Sequence, residues 1–333
     1  MAIKALSWMV RVFEPPVYCY HEIVHNAIVV REFEQMGVVF VDDVSEVPPG
    51  RPVMLSAHGS APQVEAAAGQ EGRIVVDACC PLVTKVHHEM KVRARKGYTV
   101  IYVGHSGHEE AIGTMAVAPE AVRLVEHEED VATLDIPAGE PVALLAQTTL
   151  AHDEWSGIVD AARARYPELW MPGRSDLCYA TTNRQAAMRA LAAGCDAVVV
   201  IGSANSSNTV SLAKTAAAAG CARVHRVNST GELPDDLEGV VGVTAGASAP
   251  EWLVDDVIAW LNPSEGIEIV HVTEEDEYFP PPPELRDLLR AAAAAATLLA
   301  GVPPDDALPS AADRTTSAAS VLRPDEHAQY LAS

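Results

Sequence analysis

Six times along the chain, an apolar run the length of a strand ends in a small polar loop that opens a helix. Val53-Met-Leu-Ser56 leads into Ala57-His-Gly-Ser-Ala-Pro62, and Ile74–Asp77 leads into Ala78-Cys-Cys-Pro81. Thr99–Val103 leads into Gly104-His-Ser-Gly-His-Glu-Glu110, and Val142–Ala146 into Gln147-Thr-Thr149. Val198–Ile201 leads into Gly202-Ser-Ala-Asn-Ser-Ser-Asn208, and Val240–Val243 into Thr244-Ala-Gly-Ala-Ser-Ala-Pro250. A helix over residues 2–13, strands at Val17–Tyr20 and Val38–Val41, and a helix between them precede these repeats. Strands alternating with helices predict parallel sheets with helices on their faces. In such sheets ligands bind beyond the carboxyl ends of the strands. There, helix N-termini can turn their N–H groups on an anion.

The second loop carries the most reactive chemistry. Cys79 and Cys80 follow the strand, and Pro81 suits the first turn of a helix, where its missing N–H costs nothing. Cys80 is therefore placed at a helix N-terminus, which favours a thiolate and metal ligation. Cys178, in Asp176-Leu-Cys-Tyr-Ala-Thr-Thr-Asn-Arg184, stands in the same way before its own helix. Of the other cysteines, Cys19 lies in a strand, and Cys195 and Cys221 lie beside glycines and read as core packing. No C-x-x-C pair occurs, so zinc-ribbon and thioredoxin readings fail.

Three histidines fall at or near comparable strand ends. They are His58 in Ser-Ala-His-Gly, and His105 and His108 in the loop that ends Glu109-Glu110. Imidazoles donate to phosphate oxygens, and a neighbouring carboxylic acid can pass protons. Only one of the two adjacent glutamates is expected to face the pocket. Thr148, Ser206, Ser207, Asn208 and Ser248 add donors of little bulk; capping of the helix that follows is the alternative use of each loop. These loops contain no Lys or Arg, which suits a neutral pocket for a diphosphate. His21-Glu-Ile-Val-His25 matches the H-E-x-x-H string of zinc peptidases. That reading needs both histidines on one helix, and Pro15-Pro16 followed at once by a strand puts His21 in a loop; His25 remains a candidate ligand-binding group.

Charge sharpens the choice of ligand. Asp and Glu number 46 against 23 Lys and Arg, a formal charge of −23. A bulk attraction to nucleic acid or to an anionic membrane is excluded on that balance. No apolar run reaches membrane-spanning length and no signal peptide is read, so a cytoplasmic location is expected.

The strings D-A-C-C-P-L-V-T-K-V-H, S-A-H-G, G-H-S-G-H-E-E, A-Q-T-T-L, C-Y-A-T-T-N-R-Q, G-S-A-N-S-S-N and G-V-T-A-G-A-S-A-P occur together. As a set they closely resemble the 4-hydroxy-3-methylbut-2-enyl diphosphate reductase family, over about residues 2–286. The resemblance implies an α/β fold of three pseudo-symmetric domains with small parallel sheets around a central cluster site. Divided on this chain, these are 1–79, 80–177 and 178–279, with a Pro/Ala-rich tail at 280–333, helical over Glu284–Leu299 and then disordered. It implies an iron–sulfur oxidoreductase with a 4Fe-4S cluster, Cys80 and Cys178 among its ligands. His25, His58, His108, Ser206, Ser207, Asn208 and Ser248 would bind the diphosphate. Glu110 would deliver a proton, with Thr148 and His108 placing it. The implied reaction is reductive dehydroxylation to isopentenyl and dimethylallyl diphosphate, with electrons from a donor such as ferredoxin or flavodoxin.

The sequence departs from the family at its first residues. The first cluster cysteine belongs to a G-F-C-A-G-V segment that would lie directly before the helix at 2–13, and Cys79 replaces the usual threonine. Two expectations compete: a start codon placed downstream of the true one, or a degenerate paralogue that binds a diphosphate ligand without a stable cluster.

Overall fold

The structure, a computed structural model, describes residues 1–274, 277–300 and Leu322. The first unit runs α1 (Ala2–Val12), β1 (Val17–Tyr20), α2 (Ala27–Gln35), β2 (Val38–Val41), β3 (Pro52–Leu55), α3 (Pro62–Ala68) and β4 (Ile74–Asp77). The second runs α4 (Pro81–Arg95), β5 (Thr99–Val103), α5 (Glu109–Val117), β6 (Val122–Val125), α6 (Asp130–Thr133), β7 (Val142–Ala146) and α7 (His152–Arg165). The third runs α8 (Tyr179–Ala192), β8 (Ala197–Ile201), α9 (Ser207–Ala218), β9 (Val224–Val227), β10 (Val241–Ala245) and α10 (Glu251–Leu261), and α11 (Pro283–Ala300) follows.

The three sheets share one plan. The strand after a long helix is central, with the next strand on one side and the one after on the other: β2-β1-β3, β6-β5-β7 and β9-β8-β10. An outer β4 extends the first sheet, and every pairing is parallel. The expected α/β fold of three small parallel sheets is thus met.

Burial explains which strands the sequence displays. Both β7 and β8 are buried at every residue, so they read as unbroken apolar runs. The edge strands β6 and β9 fall outside the sequence pattern because Arg123 in one and His225-Arg226 in the other interrupt the run. Edge strands tolerate such residues because one side is unpaired.

Two glycines bring α5 onto the loop after β3. Gly59 adopts a left-handed φ of 82°. A Cβ on Gly113 of α5 would stand 2.6 Å from the Gly59 carbonyl oxygen, a contact that no side chain permits. The N-terminus of α5 is thereby held against the His58 loop.

Within the Pro/Ala-rich tail, α11 belongs to the first core: Leu285 and Leu289 are buried with Leu6 and Met9 of α1 and Val17 of β1. Residues 301–321 and 323–333, which the sequence reading expects to be disordered, lie outside the described residues. No helix among the described residues is long and apolar enough to cross a membrane. Replacing the fully buried Leu285 by Ala is expected to cost about 2–4 kcal/mol and lower the urea midpoint. An unchanged midpoint would show that α11 does not contribute to this core.

Candidate functional site

Loops from all three units are tied to one another at the carboxyl ends of their strands. His58 after β3 meets Glu109 of α5, with Nδ1 2.8 Å from Oε2. Thr148 after β7 donates to Glu110 twice, from its backbone N–H to Oε1 at 2.6 Å and from its hydroxyl to Oε2 at 3.0 Å. Ser248 donates its hydroxyl to the His25 carbonyl, and the Ala27 N–H donates to Ser203 Oγ.

His25, His58 and His108 form one cluster. The rings of His25 and His58 are stacked, with centroids 4.1 Å apart and planes 10° apart. His108 stands edge-on to both, at 5.4 Å and 6.1 Å. As the N-cap of α5, His108 accepts the Glu110 N–H at its Nδ1. A neutral imidazole that accepts at Nδ1 carries its proton at Nε2. That Nε2 is buried and has no partner, so it is a free donor. Burial and the nearby His58 and His25 lower the His108 pKa to about 4, which keeps this donor neutral at pH 7.

Asn208, on the first turn of α9, presents a second unpaired group: both its side-chain oxygen and its side-chain nitrogen are buried without partners. Unsatisfied buried amides are costly, and a ligand is one way to relieve them. Ser206 caps α9 by accepting the Thr209 N–H, the alternative use foreseen for it. A cleft of about 410 Å³ lies between the His105–His108 loop and α9, lined by His108, Asn205, Ser207 and Lys214 among others. The expectation of a pocket without a cation is corrected here. Lys214 reaches the cleft from the second turn of α9, where the loop sequence does not reveal it, and pairs with Glu154 at 3.2 Å.

Glu110 is fully buried. Desolvation raises its pKa from 4.5 to about 7, against the two hydrogen bonds from Thr148. An acid that holds its proton near neutral pH is suited to proton delivery. Glu109 corrects a second expectation, because it also faces the site. Consecutive residues on a helix point about 100° apart, so Glu110 turns to Thr148 while Glu109 turns to His58. Burial alone would raise the Glu109 pKa, but its bond to His58 outweighs this and holds the carboxyl below its usual range.

Two thiols lie within electrostatic reach of Glu110. Cys80 and Cys178 are the N-caps of α4 and α8, and each senses the Glu110 charge. Burial raises both thiol pKa values, and backbone N–H groups of the helix starts pull them back down. Cys80 also senses the charge of Cys178. A half-buried ion pair ties these elements: Lys85 of α4 bonds the buried Asp176 at 3.1 Å, and the Asp176 carboxylate accepts the Ala146 N–H. Sequence gave no local sign of that pair, whose members are 91 positions apart.

A 4Fe-4S centre that keeps one iron open needs three thiolates. Cys80 and Cys178 stand nineteen positions ahead of β5 and β8 (99 − 80 and 197 − 178). No third cysteine stands at the matching distance ahead of β1 among this chain's residues. Cys79 turns its sulfur to another partner, accepting from the Thr84 hydroxyl. Cys19 is buried in the first core. The residues present therefore do not complete a cluster site. His25, His58 and Glu109 do bring ligand atoms within 4.8 Å of one another, without any cysteine. The two rings are nearly parallel, however, so their in-plane lone pairs run side by side and do not meet at one ion. The peptidase reading of His21 and His25 fails as well, because His21 has a left-handed φ of 57° and α2 begins only at Ala27.

A family model described as LytB protein matches residues 1–262. The 4-hydroxy-3-methylbut-2-enyl diphosphate reductase of Rhodopirellula baltica is 46% identical over 281 residues, covering 83% of this chain and 88% of the relative. A reductase of the same name from Mycobacterium tuberculosis is 46% identical over 280 residues, covering 81% and 84%. The solved structure of E-1-hydroxy-2-methyl-but-2-enyl-4-diphosphate reductase from Plasmodium falciparum superposes with a TM-score of 0.84 at 31% identity, covering 87% of this chain and 93% of that one.

The Glu110 pKa has a consequence for stability. The folded state holds this proton more tightly than the unfolded state, so its contribution is full below about pH 4.5 and is lost as pH rises through about 7. Glu110→Gln should remove that slope. Urea unfolding between about pH 5 and 7.5 is expected to show wild type losing roughly 2–3 kcal/mol relative to the variant. Parallel profiles would place the Glu110 pKa in its ordinary range.

Proposed function

The chain belongs to the LytB protein family, and on that premise we propose that its site binds the diphosphate of 4-hydroxy-3-methylbut-2-enyl diphosphate, in the chain as given without a stably held iron–sulfur cluster. The observation that carries this reading is the pair of orphaned buried groups, His108 Nε2 at the N-cap of α5 and the Asn208 side chain on the first turn of α9. Both are neutral and one is a fixed donor, suited to phosphate oxygens beside a buried acid, while the one lysine lining the cleft, Lys214, is paired with Glu154. Backbone N–H groups at those helix starts add to them. Ser207 lines the same cleft as His108, and Ser248 holds the His25 loop in place.

The absence of a stable cluster follows from the thiol count. Cys80 and Cys178 supply two of three thiolates, and no other cysteine of the chain stands ready beside them.

A second reading, reductive dehydroxylation of the same ligand with a ferredoxin- or flavodoxin-type donor, is favoured by Glu110. Simple binding has no use for a buried acid that carries its proton near neutral pH beside two thiols. In that reading Glu110 holds the proton for the departing hydroxyl, and Thr148 keeps its carboxyl oriented. That chemistry also requires the third thiolate.

Calorimetric titration of the cluster-free chain with 4-hydroxy-3-methylbut-2-enyl diphosphate tests the binding claim. Binding is expected, with Asn208→Leu weakening it about tenfold or more. Equal affinity of wild type and variant would remove Asn208 from the site. Anaerobic reconstitution is expected to leave iron well below about four per chain. Full loading with sustained turnover would decide for the second reading.

A further inference from the structure

We propose that Glu109 is a positioning residue of this site: it fixes the tautomer of His58, and diphosphate is bound together with a proton taken up by His58. The inference rests on the diphosphate reading above and adds a coupling to it.

The two histidines on either side of the α5 N-terminus are wired in opposite ways. His108 accepts at Nδ1 from the Glu110 N–H, so its Nε2 is already a donor. His58 faces a carboxylate at Nδ1, and a carboxylate only accepts, so the His58 proton sits at Nδ1. A neutral His58 therefore offers a lone pair at Nε2. A phosphate oxygen meeting that lone pair is repelled. With a second proton, Nε2 becomes a donor, and the imidazolium lies between two anions, Glu109 and the phosphate.

The balance at His58 is set by groups on four elements. Ser56 Oγ at the end of β3 is 3.5 Å from its Nδ1. Glu109 and His108 come from α5, and His25 and Glu22 from the loop before α2. His87 of α4 lies beside the adjacent Gly59. His21 stands 3.9 Å from Glu109 on its other side. Burial disfavours the charged ring, Glu109 and Glu22 favour it, and burial wins while no ligand is present. A bound diphosphate adds negative charge next to the ring and reverses the outcome.

The close approach of Gly113 to the Gly59 carbonyl sets the spacing between α5 and the His58 loop and so brings Glu109 to His58.

The sign of the coupling follows. His58 without ligand titrates below its ordinary pKa of 6.5 and is neutral at pH 7 and above. If ligand raises that pKa, protons are taken up on binding, and affinity falls as pH rises, by up to about tenfold per pH unit. Inorganic pyrophosphate is the probe, titrated calorimetrically at about pH 7.5 in two buffers of different ionisation enthalpy, with wild type and Glu109→Gln compared. The probe's own titration is common to both proteins and cancels.

Wild type is expected to take up more protons per pyrophosphate than Glu109→Gln. Wild-type affinity should therefore fall more steeply with pH, its advantage over the variant reaching about tenfold at about pH 6 and shrinking toward about pH 7.5. Equal proton uptake by the two proteins, with binding intact, overturns the proposal and leaves the diphosphate reading standing. No binding by wild type at any pH overturns both. Ring-nitrogen NMR of His58 gives an arm independent of the variant's folding. The Nδ1–H tautomer alone is expected, converting to the doubly protonated ring with pyrophosphate; an Nε2–H tautomer in the free protein contradicts the proposal.

Discussion

Backbone groups at the ends of parallel strands and at the starts of helices have no partner within their own element. This constraint governs the molecule. Three units of one plan turn their strand ends toward each other, and N–H groups of α4, α5, α8 and α9 are left to be satisfied there. Side chains meet part of that demand: His108 accepts from Glu110, and Ser206 accepts from Thr209. Cys80 and Cys178 occupy the corresponding places on α4 and α8, where helix N–H groups pull the thiol pKa values down against burial. Donors that remain unpaired are available to an anion.

A chain with a formal charge of −23 cannot attract such an anion from a distance by its net charge. Recognition is left to short-range donors. Neutral donors have a further advantage beside Glu110, because a lysine there would stabilise the carboxylate and drive off the proton that burial retains. The one lysine at the cleft is kept out at the rim and paired with Glu154, away from the buried acid. Polarity is thus graded across the site, from an exposed ion pair through neutral imidazole and amide to a buried carboxyl that holds its proton near neutral pH.

How much of this could be read from the sequence depends on what each residue faces. Strands covered on both faces, such as β7 and β8, appear as apolar runs, and the loops after them show their small polar residues directly. Edge strands β6 and β9 were hidden by Arg123 and by His225-Arg226. The site's histidines could be picked out one at a time at loop positions. The stacking of His25 on His58 depends on two loops from different repeats meeting, which no local pattern encodes. Adjacent glutamates on a helix point apart, which leads to the expectation of one in the pocket, yet at this helix start both directions lead into the site. Lys85 and Asp176 likewise join distant segments and leave no periodic signature.

The central claim is that donors orphaned by the fold are the diphosphate receptor. A crystal structure of the chain with 4-hydroxy-3-methylbut-2-enyl diphosphate bound tests it most directly. The account predicts phosphate oxygens within hydrogen-bonding distance of His108 Nε2 and the Asn208 amide, with the alcohol end of the ligand turned toward Glu110. A diphosphate held at the rim by Lys214, with His108 and Asn208 still unpaired, would contradict it.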